Sequence, residues 1–390
     1  MKILIVNKSF KLGGIQSSMV NMANELSNRF EVHIFLYNPD GVMRERLNNN
    51  VIVLPSSWRF KCLEMTPKEV LRSKSMKMIL FKIFASVWTK LFGNRLPIKM
   101  AIKHQSKMSG YDLAIAYHQE QRKRSVISGF SRVVDECVDA KVKAAWIHFD
   151  SDTIDLDSKY NNKFYQKMDK VVCVSKSLME SFANNNPELS EKVDYCYNFM
   201  LYEKIMEKSF ETQEQEFPKD CFICFSACRL SSEKGLVRAI DAMASTFKKY
   251  NDVRWYIAGE GPERENVEST IRRNGLVGKI ILLGNQSNPY PYFKNADLSI
   301  NVSYHEAAPM IFFESKALGT PVFATETSSA REMLNDGVDS FVCDNSLEGI
   351  SDMFLYLMDN RNLIKGAEER LIGFCANNEK SIKKIESIVN

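Results

Sequence analysis

The sequence predicts an α/β protein built from two doubly wound, Rossmann-like parallel sheets, and three observations carry that prediction. Residues 2–6, KILIV, are a short apolar run leading to Gly13-Gly14 and then to Met19, Met22, Ala23 and Leu26 at helical spacing. Strand, glycine turn and helix in that order open such a sheet. A second series of the same kind starts at CFICFSAC (221–228), and the polar, acid-rich ETQEQEFPKD between the two has the composition of a linker. The 390 residues correspond to two or three domains at about 150 residues each, enough to bury a sizeable core.

In the first half, further strands are read at VHIFLY (32–37), VIVL (51–54), DLAIAY (112–117), KAAWIHF (143–149) and VVCVS (171–175). Helical stretches separate most of them, as parallel strands with crossovers require. In the second half, a helix carrying Ile240, Met243, Ala244 and Phe247 follows the opening strand. VRWYIAG (253–259), KIILLG (279–284), DLSINVS (297–303), PVFAT (321–325) and SFVCD (340–344) come next. Ile382, Ile385 and Val389 mark a closing helix. The expected division is a first domain at 1–200, a linker at 201–220, a second domain at 221–372 and a C-terminal helix at 373–390 returning to the first. Ligands bind outside the carboxyl ends of strands in such sheets, so two facing halves are expected to form a cleft.

Composition excludes several classes. With 45% apolar and 26% charged residues, the chain is neither globally disordered, collagen-like nor a disulfide scaffold. Nine cysteines, odd in number and irregular in spacing, read as reduced thiols of a cytosolic protein. Cys221, Cys224 and Cys228 lack the second Cys/His pair of a zinc site. The run Ile3 to Val6 is too short for a signal-peptide core, and Lys82 and Lys90 interrupt Met78 to Phe92, so no spanning segment is expected.

Two constellations carry chemistry. Arg229 directly follows the first strand of the second half, and Lys234 opens the next helix in RLSSEKG. Two cations beside free amides at a helix start suit a diphosphate, although the pair by itself reads equally well as two solvated surface charges. The second is HEAAPMIFFE. Pro309 suits the first helical position, which aims the amides of Met310 and Ile311 outward for an anion. Glu306 and Glu314 are then about 12 Å apart, beyond the roughly 5–9.5 Å of a glycosidase carboxylate pair. They are better placed to accept hydroxyl protons from two parts of one ligand, a sugar and a ribose.

These residues make the chain resemble the retaining glycosyltransferases of family 4, whose GT-B fold sets two Rossmann-like domains face to face. The second half carries the resemblance in FSACRLSSEKGLVRAIDAM, WYIAGEGPE, IILLGNQSNPYPYFKNADLSINVSYHEAAPMIFFESKALGTPVFAT and SSAREML. The first half carries it more loosely in Gly13-Gly14, YDLAIAY, AWIH with His148, VVCVS and YCYNF. The resemblance implies a metal-independent transfer of a sugar from a nucleotide-diphosphate donor, UDP-linked by preference, with retention at the anomeric carbon. It places Arg229 and Lys234 on the departing diphosphate, Glu306 on the donor sugar and Glu314 on the ribose. Gly13 and Gly14 would lie at the phosphates and acceptor, and His148 near the reacting carbon. It also implies bacterial surface-polysaccharide synthesis (capsule, exopolysaccharide or lipopolysaccharide) with a saccharide or lipid-linked acceptor, which Glu120 and Arg122 would face from the first, acceptor-side domain. No metal and no cofactor are expected. The family usually has Glu-Gly-Phe-Pro where this chain has Glu306-Ala307-Ala308-Pro309, so donor identity does not transfer, and His305 is assigned no role.

Other signals in the sequence are weaker. Gly259-Glu260-Gly261-Pro262 lacks the third glycine of a dinucleotide fingerprint and reads as a tight turn near the diphosphate. Asp150, Asp152, Asp155 and Asp157 mimic a metal clamp that belongs to a single-domain architecture, and read as solvated loop acids. The formal net charge of +4 conceals a marked asymmetry, because residues 58–108 hold twelve Lys/Arg against Glu64 and Glu69 and are +10 alone. Interleaved Trp58, Phe81, Phe84, Trp88 and Phe92 make that segment suited to an anionic membrane surface rather than to nucleic acid, the alternative being a helix pair packed on the domain with solvated lysines. The expectation is a cytoplasmic enzyme on the inner face of the cell membrane. The alternatives are a catalytically silent partner subunit and a nucleotide-sugar epimerase of the same fold.

Overall fold

A computed structural model describes residues 1–149, 158–374 and 377–389. They divide into two compact units, Met1–Met200 with Asn378–Asn390, and Leu201–Asn377.

The first unit is built on seven parallel strands: β1 (Lys2–Ser9), β2 (Glu31–Asn38), β3 (Ile52–Leu54), β4 (Met108–Ala116), β5 (Val138–Ile147), β6 (Lys170–Cys173) and β7 (Val193–Tyr195). Their order is β3-β2-β1-β4-β5-β6-β7. Ile3 to Val6 are fully buried, since helices cover both faces of a parallel sheet and leave its central strand no polar side. The register sets Ile5 opposite Ile34 in β2 and Ile115 in β4. Strand β7 was not anticipated. Its three residues, Val-Asp-Tyr, are half-buried at the sheet edge and too few to show a period. The closing helix Glu379–Val389 belongs to this unit through buried Ile382, Ile385 and Ile388.

The second unit has six parallel strands: β8 (Phe222–Ala227), β9 (Val253–Ala258), β10 (Ile280–Gly284), β11 (Leu298–Asn301), β12 (Val322–Thr325) and β13 (Ser340–Cys343). They are ordered β10-β9-β8-β11-β12-β13. Trp255 is buried at its centre and donates its indole N–H to Ser226 Oγ at 3.0 Å, which in turn donates to the carbonyl of Ile300 at 2.6 Å. Part of the expected linker is ordered: Tyr202–Lys208 is a helix of the second unit.

The basic segment forms four helices, Trp58–Glu64, Pro67–Arg72, Met76–Phe92 and Arg95–Ile102. In the third, Met78, Phe81, Ala85 and Thr89 face inward. Lys82 is also buried and donates to the carbonyls of Cys62 and Leu63 at 3.1 and 3.0 Å, closing the end of the first helix. Met76, Leu80, Ile83, Val87 and Leu91 are exposed at 54–68%. At 100° per residue they share one stripe about 80° wide and 22 Å long. Among the described residues, no helix is long and apolar enough to cross a membrane, and none of the described cysteines is in a disulfide.

Candidate active site

In the second unit the strand order reverses between β8 and β11, which lie side by side. Loops leave the two strands in opposite directions there, opening a crevice at their carboxyl ends. After β8 the chain passes Cys228-Arg229-Leu230 against the turn 259–261. A Cβ on Gly259 would stand 1.9 Å from the Cys228 carbonyl oxygen, and one on Gly261 would stand 2.1 Å from that of Leu230. Only glycines let the turn pack this closely. The Leu230 N–H then donates to the Glu260 carbonyl at 3.0 Å. Arg229, fixed between these contacts, is exposed and makes no ion pair among the described residues. The turn therefore supports the loop that presents the cation.

Gly235 caps the helix Leu236–Lys249 at φ +65°. A side chain there would meet the Val302 carbonyl oxygen at 2.3 Å, so the glycine allows this helix start to approach β11. The approach brings Lys234 to Glu306, with Nζ 2.6 Å from Oε1. Ser303 Oγ donates to the same oxygen at 2.7 Å. The Glu306 carbonyl accepts from Ser328 and Ser329 at 3.0 and 3.1 Å, and the Tyr304 N–H donates to the Glu233 carbonyl at 2.9 Å. Burial opposes the charge on Lys234, but the attraction of Glu306 outweighs it, and the ammonium is held above its ordinary range. The sequence reading placed these two residues on different parts of a ligand; in the structure each is the other's partner.

The helix behind Glu306 is Met310–Ala317, one residue shorter than expected, because Pro309 caps it from outside rather than occupying its first turn. Pro309 keeps ψ at 120° and accepts from the Phe312 N–H at 3.3 Å. Met310 and Ile311 remain the first two helical residues, whose N–H groups have no acceptor within the helix. Glu314 lies half-buried one turn further, with Tyr290 Oη donating to it at 3.4 Å. The serines that clamp Glu306 were not singled out by sequence reasoning. Ser328 and Ser329 do belong to SSAREML, one of the stretches that carry the resemblance.

In the first unit, Gly13 and Gly14 occupy the turn from β1 into the helix Gly14–Leu26. A Cβ on Gly14 would meet nothing within 4 Å, and one on Gly13 only the movable end of Gln16. His148 follows β5 and is 7% exposed. Its Nε2–H donates to the Tyr117 carbonyl at 2.7 Å. Burial pushes its pKa down to about 4, so the ring is neutral at pH 7 and Nδ1 carries the lone pair.

Glu120 requires a correction. It is 1% exposed, and its carboxylate accepts from Ser128 Oγ and the Gly129 N–H at 2.6 Å and from the Ser131 N–H at 2.8 Å. It neutralises the start of the helix Phe130–Cys137 and is not available to an acceptor. Arg122 is exposed, and its carbonyl accepts from the Ser125 N–H at 2.8 Å. Asp150, Asp152, Asp155 and Asp157 lie outside the described residues. Among the described residues, no three His, Cys, Asp or Glu side chains converge as for a metal ion.

Two Rossmann-like parallel sheets in one chain, shared with the solved structures below, are the architecture of the GT-B class of glycosyltransferase folds. More particularly, residues 207–371 match the family "Glycosyl transferases group 1". Over 206 residues the chain is 29% identical to N-acetylgalactosamine-N,N'-diacetylbacillosaminyl-diphospho-undecaprenol 4-alpha-N-acetylgalactosaminyltransferase of Campylobacter jejuni, covering 52% of this chain and 53% of the relative. Over 219 residues it is 22% identical to poly(glycerol-phosphate) alpha-glucosyltransferase of Bacillus subtilis, covering 55% and 32%. The chain thus spans about half the length, or less, of these curated relatives. Likeness to solved structures runs through the whole fold. HepE of Anabaena, solved with UDP and glucose, superposes with a TM-score of 0.68 at 17% identity, covering 99% of this chain and 100% of that one. WaaG, a glycosyltransferase involved in lipopolysaccharide biosynthesis, superposes with a TM-score of 0.60 at 13% identity, covering all of both chains.

Proposed function

We propose that the protein is a retaining, metal-independent glycosyltransferase that moves a sugar from a UDP-sugar to a saccharide or lipid-linked acceptor during bacterial surface-polysaccharide synthesis. The observation that carries the proposal is the Lys234–Glu306 pair at the β8/β11 switch point, beside an exposed Arg229 and the start of the helix Met310–Ala317. The neighbour solved with UDP, the diphospho-undecaprenol-linked relative and the neighbour involved in lipopolysaccharide biosynthesis support the choice of donor and pathway.

In the reaction, the bond between the anomeric carbon and the diphosphate oxygen breaks, and its electron pair leaves with the diphosphate. The acceptor oxygen bonds to that carbon and its proton is released. Arg229, Lys234 and the amides of Met310 and Ile311 offset the charge growing on the diphosphate, an electrostatic stabilisation of the leaving group. Phosphate arrival draws Lys234 away from Glu306, whose freed oxygen accepts from a hydroxyl of the donor sugar. Glu314 accepts from the ribose. Gly13 and Gly14 leave room for backbone close to the ligand. His148 works beside the reacting carbon as a neutral hydrogen-bonding group, not as an acid.

The enzyme works from the cytoplasm at the inner face of the membrane, where the apolar stripe of Met76–Phe92 and the exposed cations of 58–108 meet anionic lipid. Calorimetric screening of nucleotide sugars, followed by transfer assays with and without EDTA, tests the reaction; NMR of the product reads its anomeric configuration. Binding of a UDP-sugar and EDTA-insensitive transfer are expected. Failure of every nucleotide diphosphate to bind would leave a silent subunit, and an epimer formed without acceptor would make the protein an epimerase.

A further inference from the structure

We propose that the first unit carries a second ligand site, a pocket that takes the phosphate head group of an anionic phospholipid. The proposal rests on the membrane reading above and adds to it a defined contact. The pocket encloses about 280 Å³ among the helices Arg95–Ile102, Phe130–Cys137 and Ser158–Tyr165. At about 30 Å³ per water, this is room for roughly nine waters, and so for a phosphoglycerol group.

Five of its lining residues are cations, Arg95, Lys99, Arg132, Lys163 and Lys167, against the single carboxylate of Glu136. Two of the five are already balanced. Arg132 is 5% exposed; its Nε lies 3.5 Å from Glu136, and its Nη1 donates to the Arg95 carbonyl at 3.1 Å. Lys167 pairs with Asp135 at 2.6 Å. Arg95, Lys99 and Lys163 make no ion pair among the described residues. Three uncompensated positive charges around one concavity repel each other and are relieved by an anion. Tyr160 and Phe164 add an apolar wall, which a glycerol ester covers and an inorganic ion does not.

Its position selects the source of the phosphate. Tyr160 Oη donates to Asn94 Oδ1 at 2.8 Å, and Asn94 joins the helix Met76–Phe92 to the helix Arg95–Ile102. Arg95, the first lining residue in the chain, comes three residues after Phe92, at the end of the helix that carries the apolar stripe, where Leu91 and Phe92 are 62% and 64% exposed. Apolar side chains for the acyl region and cations for the phosphate, on successive helices of the chain, match an anionic phospholipid.

The test is flotation of the full chain with phosphatidylcholine vesicles, with and without phosphatidylglycerol. Arg95→Glu/Lys99→Glu/Lys163→Glu is compared with Lys68→Glu/Arg72→Glu/Lys74→Glu, an equal change of charge outside the pocket. Leu80→Ser/Ile83→Ser/Val87→Ser reports on the stripe alone. The pocket variant should lose at least tenfold more affinity for phosphatidylglycerol vesicles than the charge control does. Its circular dichroism spectrum and melting temperature should equal those of wild type, which shows that both units are folded. Soluble glycerol 3-phosphate should compete with the vesicles for wild type and not for the pocket variant. Equal losses in the two charge variants would overturn the pocket and leave the membrane reading standing. Glycerol 3-phosphate binding with no difference on vesicles would make it a soluble phosphate-ester site and overturn the lipid assignment. Absence of wild type from both vesicle fractions would remove the membrane reading and the lipid site together.

Discussion

Replacing Glu306 with Gln separates the two duties assigned to the Lys234–Glu306 pair. The side chains are 23% and 12% exposed and 2.6 Å apart, between an exposed pair worth about 0–1 kcal/mol and a charged hydrogen bond worth about 1.5–3 kcal/mol. Glutamine keeps an oxygen for Ser303 and loses the charge, so a stability loss of about 1–2 kcal/mol is expected in urea denaturation at pH 7. The pair raises the pKa of Lys234 above 10.5. Its contribution is therefore fully present below that value, and it is lost as pH rises through the raised folded pKa. The variant should lack this alkaline loss. Without its carboxylate competitor, Lys234 is free for phosphate, and UDP alone should bind as well as to wild type or up to about fivefold tighter, about 1 kcal/mol. Transfer should nevertheless fall by about 10²–10³, the usual scale for losing one group that acts in the transition state. Calorimetry with UDP and initial rates with the UDP-sugar read the two effects separately. Near wild-type transfer, or a fall in UDP affinity as large as the fall in rate, would refute the reasoning.

Other consequences follow from the same geometry. Gly235→Ala places a Cβ 2.3 Å from the Val302 carbonyl oxygen at φ +65° and should cost about 2 kcal/mol or more by calorimetric melting. Glu120→Gln puts an amide donor against N–H groups that now share a carboxylate; about 3 kcal/mol should be lost in urea denaturation, with acceptor preference unchanged. His148 and His118 have pKa values pushed down by burial to about 4 and about 3. Both are neutral in the folded chain where the unfolded chain binds protons. Stability should therefore be intact above about pH 6.5 and fall as pH drops toward 4, by about 1.4 kcal/mol per pH unit for each imidazole. Denaturation midpoints at pH 7 and pH 5, with His148→Asn for comparison, measure that slope.

The architecture was legible because buried parallel strands are continuous apolar runs. KILIV and CFICFSAC announce β1 and β8 without any periodicity argument, while Val193–Tyr195, with aspartate at its centre, announces nothing. The site was legible as residue types but not as partners. Lys234 and Glu306 are 72 positions apart and meet only because β8 and β11 are neighbours. Glu120 resembled a free loop acid, and only the fold shows the helix start that consumes it. The stripe on Met76–Phe92 was hidden for a different reason. That helix is apolar on both its inward and outward faces, so the pattern of its residues does not say which face the domain covers.

The central claim is that the second unit holds a nucleotide diphosphate at the switch point between β8 and β11. Calorimetric titration of UDP into wild type and into Arg229→Ala/Lys234→Ala at neutral pH and two salt concentrations tests it most directly. Wild type should bind, more weakly at high salt, and the double variant should lose at least about thirtyfold in affinity, roughly 2 kcal/mol. Undiminished UDP affinity in the double variant would place the diphosphate elsewhere and contradict the claim.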